Sequence, residues 1–189
     1  MLNHKNIKIV VLGIALVLGA GVAHYYFTSS VSQGPISEYT PARDTEDMIA
    51  LFKEDNYWLS NREYDDERQH FIFETHSPNE YEPRYFGKMG IKVMREADGK
   101  FVGFVSYYLK NFHEGIILFL AVRPEFRGKH YGEQLLNAGM QELAKQGAKV
   151  VSLAVRTNNE KAIKLYTRAG MHEASRGDDG FAHMEKVVG

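Results

Sequence analysis

The chain has 189 residues, 44% of them hydrophobic and 25% charged, a formal net charge of −1 and no cysteine. That length suits one domain of ordinary size with an appendage, and the composition is that of a folded chain. Lack of cysteine excludes disulfides, thiolate metal sites and a cysteine nucleophile, and a charge this near neutral argues against non-specific nucleic-acid binding.

Residues 9–23 are uninterrupted apolar or glycine after Lys5 and Lys8, and apolar character resumes at Tyr25, Tyr26 and Phe27. A helix of about 20 residues spans a bilayer. Residues 9–27 are therefore expected to form a single-pass membrane anchor, with Tyr25 and Tyr26 at the interface. The alternative is an exported chain whose signal peptide is cleaved near Gly21, Val22 and Ala23. Lys5 and Lys8 favour an N-terminus inside and a domain outside, but two lysines do not fix the side. The division read from the chain is anchor or signal segment 1–27, linker 28–35 and domain 36–189. The linker is small and polar and ends in Gly34 and Pro35.

Within the domain, 36–40 predicts a short strand. Residues 41–52 predict a helix capped by Asp44 or Thr45, with Met48, Ile49, Leu51 and Phe52 buried. Residues 53–86, with Pro78 and Pro83, read as one helix and a long loop. Two strands, 89–95 and 100–110, are joined by a turn at Asp98 and Gly99. A turn at 111–115 leads to the apolar strand 116–122. Residues 131–146 predict a helix burying Tyr131, Leu135, Leu136, Met140 and Leu143 and ended by Gly147. A strand at 149–155 follows, then a helix capped by Asn158 or Asn159 and closed at Gly170. Residues 171–175 and 181–188 flank a turn and predict a last hairpin.

The most informative stretch joins strand 116–122 to the helix that follows. An apolar strand runs into Pro124, then a basic loop with glycine, then a helix N-terminus. The first N–H groups of a helix have no intrahelical partner and its dipole adds positive charge there, so this order of elements builds an anion site. Val122, Pro124, Arg127, Gly128 and Gly132 fit V-x-P-x-x-[RQ]-G-x-G-x-[GA], with His130 in place of the middle glycine. Farther on, Asn159, Ala162, Leu165, Tyr166 and Gly170 fit N-x-x-A-x-x-L-Y-x-x-x-G-F, with Met171 as the last residue. Both patterns, in this order, resemble the signatures of the GNAT N-acetyltransferase superfamily, over residues 36–189.

The resemblance implies an α/β (α+β) GNAT fold of order βα(α)βββαβαββ, a mixed central sheet of about six to seven strands flanked by about four helices. It implies acetyl-CoA as co-substrate, no metal, and transfer of acetyl to a primary amine of a small molecule or of a peptide or protein. Arg127, Gly128, Lys129, His130, Tyr131 and Gly132 would hold the pyrophosphate. Main-chain groups of Leu120, Ala121 and Val122 would pair with the pantetheine arm, and Asn158 or Asn159 would contact CoA. A residue at the His130 position costs conformational energy that glycine avoids if φ there is positive.

Acetyl transfer also requires an acid for the thiolate and a base for the ammonium. Tyr166 matches the family's general acid. A thiol titrates near ~8.5 and a phenol near ~10, so the proton transfer has little mismatch. Some relatives place a glutamate where this chain has Ile117, which cannot act. Glu114 is the candidate base, with His113 behind it. Residues 38–98 hold fifteen acidic and eight basic residues, whereas 99–189 hold nine and thirteen. Since the acidic part contains the region where the family builds its acceptor site, a cationic amine would be favoured. The rival reading is a non-catalytic acyl-CoA-binding or interaction module of the same fold.

Overall fold

A computed structural model describes residues 36–76 and 86–189. The expected anchor and linker lie outside these residues, and no described helix is long and apolar enough to cross a membrane. Seven strands form one sheet: β1 (Ile36–Glu38), β2 (Phe86–Arg95), β3 (Phe101–Leu109), β4 (Glu114–Val122), β5 (Val150–Arg156), β6 (His172–Arg176) and β7 (Phe181–Val187). The spatial order is β1-β2-β3-β4-β5-β7-β6. All neighbours are antiparallel except β4 and β5, which are parallel. Five α-helices and a short 3-10 helix (Pro124–Phe126) complete the described fold: α1 (Pro41–Glu54), α2 (Asn56–Leu59), α3 (Asp66–Thr75), α4 (Tyr131–Lys145) and α5 (Glu160–Arg168).

The sheet is covered on both faces, as β3 shows: its first eight residues are all buried. One core joins Val102, Val105, Tyr107 and Ile117 to Leu135, Leu136, Met140 and Leu143 of α4 and to Tyr166 of α5. The other joins Met89, Ile91, Val93, Phe104 and Ala121 to Met48, Ile49, Leu51 and Phe52 of α1 and to Ile72 and Phe73 of α3. Both amphipathic faces read from the apolar spacing in α1 and α4 are therefore the faces that pack.

Two expectations are corrected. Residues 53–86 hold two helices, α2 and α3, where one was read; Asp65 caps α3 by accepting the Arg68 N–H at 2.9 Å. A four-residue helix is too short to leave a periodic signature, so α2 had no signal of its own. Helix α1 is not capped by Asp44 or Thr45: Thr40 is its N-cap and Pro41 occupies its first turn. Proline fits there because its missing N–H would be unpaired anyway and its φ is already helical. Asp44 and Thr45 lie inside the helix and are buried.

Asp44 is fully buried, and its oxygens accept from the Thr40 N–H at 2.7 Å, from Arg43 at 2.8 Å and from Arg95 at 2.8 Å. Arg95 also pairs with Asp47 at 2.8 Å, and Asp47 pairs with Arg123 at 2.9 Å. The cluster ties α1 to β2 and to the end of β4. Burial works to raise the Asp44 pKa, but hydrogen bonds from Arg43, the Thr40 N–H and Arg95 outweigh it and hold the carboxyl below the usual aspartate value. Its contribution to stability is thus fully present above the unfolded-state pKa and is lost as pH falls through the folded one. Asp44→Ala leaves two guanidinium groups without their shared partner and is expected to cost about 3 kcal/mol at pH 7. Urea unfolding should show that difference unchanged from pH 5 to 8 and shrinking below about pH 4.

Candidate active site

Parallel pairing of β4 and β5 covers only Glu114↔Val150, Gly115↔Val151 and Ile116↔Ser152. Beyond Ile116 the two strands part. The register of β3 against β4 skips Leu118, since Tyr107 faces Ile117 while Ser106 faces Phe119. This bulge bends β4 where the strands separate. The fully buried Ser106 hydroxyl accepts the Phe119 N–H at 3.2 Å. The Arg123 N–H bonds to Val102 of β3, so by strand alternation the main-chain groups of Leu120 and Val122 point into the gap toward β5. Ala121 points toward β3.

Two cavities open from this gap. The first is a groove of about 740 Å³ lined by Leu120, Ala121, Val122, Arg127, Gly128, His130, Tyr131, Gly132, Asn158, Asn159 and Tyr166, among others. Lys129 does not line it. The second, about 560 Å³, is lined by residues of α3, β4, β5 and β7, including Gln69, Glu114, Ser152 and His183. Trp58, Leu59, Ile117, Leu118, Leu153 and Ala154 line both. The first intrahelical bond of α4 runs from Gln134 N–H to the His130 carbonyl, so the N–H groups of Tyr131, Gly132 and Glu133 come before it. They sit at the positive end of the helix dipole, in the groove wall.

The turn that presents them needs left-handed backbone twice, at Gly128 (φ 80) and at His130 (φ 62). A Cβ at Gly128 would meet nothing within 4 Å, whereas one at Gly132 would come 2.9 Å from Leu165, so α4 and α5 pack closely there. The His130 ring is exposed, caps nothing on α4, and faces Glu133 at 3.4 Å. Arg127, though half-exposed, is already engaged: it donates to the Val122 carbonyl at 2.9 Å and pairs with Asp55 at 2.5 Å. Lys129 lies 5.2 Å from the centre of the Phe126 ring. The Tyr131 side chain is engaged elsewhere, donating to Glu96 at 2.8 Å.

Tyr166 is nine-tenths buried in the groove wall, its hydroxyl has no hydrogen-bond partner among the described residues, and burial pushes its phenol up to about 12. Asn159 is the N-cap of α5, accepting the Ala162 N–H at 3.2 Å, while Asn158 donates to the Tyr57 hydroxyl at 3.1 Å. Glu114 lies in the other cavity, held by Lys110 at 2.9 Å and the Ser152 hydroxyl at 3.0 Å. Burial raises its pKa, but hydrogen bonds from Lys110, Ser152 and Asn111 and the Lys110 charge prevail and leave it below the usual glutamate value. Tyr166 and Glu114 thus stand in different cavities with a shared wall. His113 lines neither; its carbonyl accepts the N–H groups of Lys149 and Val150.

Sequence reading missed the roof of the gap. Arg156 of β5 donates to the carbonyls of Tyr57 and Ser60, the latter at 2.9 Å. Its guanidinium lies 4.2 Å from the Tyr57 ring centre and 5.0 Å from that of Phe181. These contacts hold α2 over the opening, which is why Trp58 and Leu59 line both cavities. Aromatic density at 53–64 was the one available hint. The acidic surplus of 38–98 does not show at the second cavity, since none of the described carboxylates of that segment lines it. The charged residues that do line it are Arg62, Arg68, Lys110, Glu114 and Asp179.

A parallel pair that parts beside a helix N-terminus, within a mixed seven-stranded sheet, defines the class: the chain belongs to the acetyltransferase (GNAT) family, whose sequence profile matches residues 45–171. Among known proteins it is similar to a mycothiol acetyltransferase of Propionibacterium freudenreichii, 34% identical over 103 residues, which are 52% of this chain and 32% of that protein. It is also similar to a putative [ribosomal protein bS18]-alanine N-acetyltransferase of Bacillus subtilis, 32% identical over 76 residues, 40% of this chain and 50% of that protein. The matches thus span a third to a half of these relatives' lengths. Of solved structures, Ard1 from Thermoplasma volcanium superposes with a TM-score of 0.64 at 25% identity, covering 82% of this chain and 98% of that one. Spermidine N-acetyltransferase from Vibrio cholerae, in complex with CoA and spermine, shares the fold with a TM-score of 0.65 at 18% identity, over 82% of this chain and 96% of that one.

His130 carries a left-handed conformation that costs a residue with a Cβ about 1 kcal/mol. His130→Gly is expected to raise the unfolding free energy by about 0.5 kcal/mol, the gain being partly offset by the freer unfolded glycine. Urea titration should show a higher midpoint at unchanged slope.

Proposed function

We propose that the chain transfers the acetyl group of acetyl-CoA to a primary amine of a small molecule or peptide. The observation that carries this reading is the parting of β4 and β5, which places an anion-binding groove and a second cavity on two sides of one wall. The groove suits a donor with a pyrophosphate: three open N–H groups at the α4 N-terminus, a glycine turn open to close approach and Lys129 nearby. The strand edge at Leu120 offers main-chain groups to an extended amide-bearing arm.

The donor supplies a thioester carbonyl. The amine must shed a proton before it attacks, the new C–N bond forms as the carbonyl becomes an oxyanion, and the C–S bond then breaks to release a thiolate that takes a proton. Tyr166 would give that last proton, a role supported by its position in the groove wall and by a phenol that, at about 12, stays protonated at neutral pH. Glu114 is ionised at neutral pH, but its lowered pKa makes it a weak base. It stabilises an ammonium in the second cavity and accepts the proton through water, with the His183 imidazole on the same wall. A non-catalytic module of the same fold draws support from Arg127, whose charge is already met by Asp55.

Calorimetric titration of acetyl-CoA onto the full-length chain is expected to show saturable binding. Tyr166→Phe should leave that affinity within about twofold yet lower turnover about 100-fold. The loss should be the same from pH 6 to 9, because the phenol does not titrate in that range. A folded chain that binds no acetyl-CoA removes the reading, and binding without turnover of any amine leaves the non-catalytic module.

We also propose that residues 9–27 anchor the chain in a membrane. The full-length chain is then expected in the membrane fraction after alkaline extraction, and a chain starting at Ile36 in the soluble fraction; equal partitioning of the two would remove the anchor.

A further inference from the structure

The second cavity is electrostatically unlike the sequence segment that supplies much of it. Residues 38–98 carry an acidic surplus, yet none of its described carboxylates lines the cavity, and four of them are paired elsewhere: Asp44 and Asp47 with Arg43, Arg95 and Arg123, Glu38 with Lys92, and Asp55 with Arg127. What that segment sends to the cavity is two guanidinium groups, Arg62 and Arg68. Arg62 makes no side-chain hydrogen bond or ion pair among the described residues, and Arg68 gives one Nη2 bond to the Glu63 carbonyl, at 2.9 Å, and pairs with no carboxylate there. The other cation, Lys110, is matched by Glu114. Asp179 sits in the exposed 176–180 turn, where it accepts the Phe181 N–H at 3.1 Å.

A second observation is independent of charge. Gln69, on α3 beside Arg68, is 1% exposed and lines the cavity, and its Oε1 has no hydrogen-bond partner. A buried amide oxygen without a donor is costly, and such groups in native folds are rare unless something else supplies the donor. The wall therefore presents a lone acceptor, suited to an N–H group, together with two forks suited to a carboxylate.

We propose that the acceptor is a primary amine that also bears a carboxylate, an amino acid or short peptide, with Arg62 and Arg68 taking its carboxylate and Gln69 Oε1 an N–H. This rests on the acetyltransferase reading above and sets the acceptor apart from a polyamine, which would bring further positive charge to a wall already holding unmatched cations.

Trp58 is the only tryptophan of the chain and lines this cavity, so its fluorescence reports binding without turnover. The full-length chain would be titrated with free amino acids and dipeptides, each beside its C-terminal amide, and with spermidine. The best free acid is expected to bind about tenfold more tightly than its amide and than spermidine. Arg62→Gln combined with Arg68→Gln should bring the free acid to the affinity of the amide and leave the amide unchanged. Amides or spermidine binding as well as the acids, a preference that survives the double replacement, or no saturable binding by any free acid would each overturn the proposal. Because acetyl-CoA is absent from this titration, its outcome is separate from failure of the donor site, which calorimetry detects.

Discussion

The short pairing of β4 with β5 is the constraint on which the rest depends. Three register pairs hold the two halves of the sheet together, and from Ile117 onward each strand edge turns unpaired main-chain groups toward the other. Buried groups of this kind need partners, so the gap must be met by side chains, water or a ligand. The fold meets it partly with its own residues: Arg127 takes the Val122 carbonyl, and Arg156 pins α2 across the top. What is left forms two cavities with a common wall, an arrangement that lets two molecules approach one another from opposite sides while each stays in its own pocket.

At the α4 end of the groove, backbone N–H groups are more available than side chains. The open N–H groups of α4 do not depend on residue type, which is why His130 can stand where the motif has glycine, at the cost of a strained φ. The nearby side chains are less available than the motif suggests. Arg127 is neutralised by Asp55 and Tyr131 is bonded to Glu96. Any anion approaching Arg127 would compete with Asp55 for its guanidinium.

The acidic stretch shows how charge counts mislead when pairing is not visible. Asp44 and Asp47 are structural, joining α1 to β2 and to the strand that leads into the anion-binding turn. Neither lines the second cavity, where the charged residues contributed by the same acidic segment are Arg62 and Arg68. A buried pair of this type stabilises only while both partners remain, so the electrostatic character of the cavity and the integrity of the domain are set by different carboxylates.

Much of the architecture was legible in the sequence because it rests on local rules. Apolar periodicity gave the buried faces of α1 and α4, the Asp98 and Gly99 turn gave the β2–β3 hairpin, and residues of the two motifs line one groove. Where local signals were weak the reading erred: α2 is one turn long, and Thr40 with Pro41, rather than Asp44, begins α1. Nothing in the order of residues shows that Arg156 reaches back across the gap to Tyr57 and Ser60, or that Glu114 and Tyr166 face different cavities. Those facts depend on contacts between positions about 100 residues apart in the first case, and on the divergence of two strands in the second. The sequence by itself determined the elements, the family and the glycine turn before α4, since each is written in neighbouring residues. Only the tertiary structure decided which charges are spent in ion pairs and which remain to meet a substrate, because pairing and burial belong to distance in space.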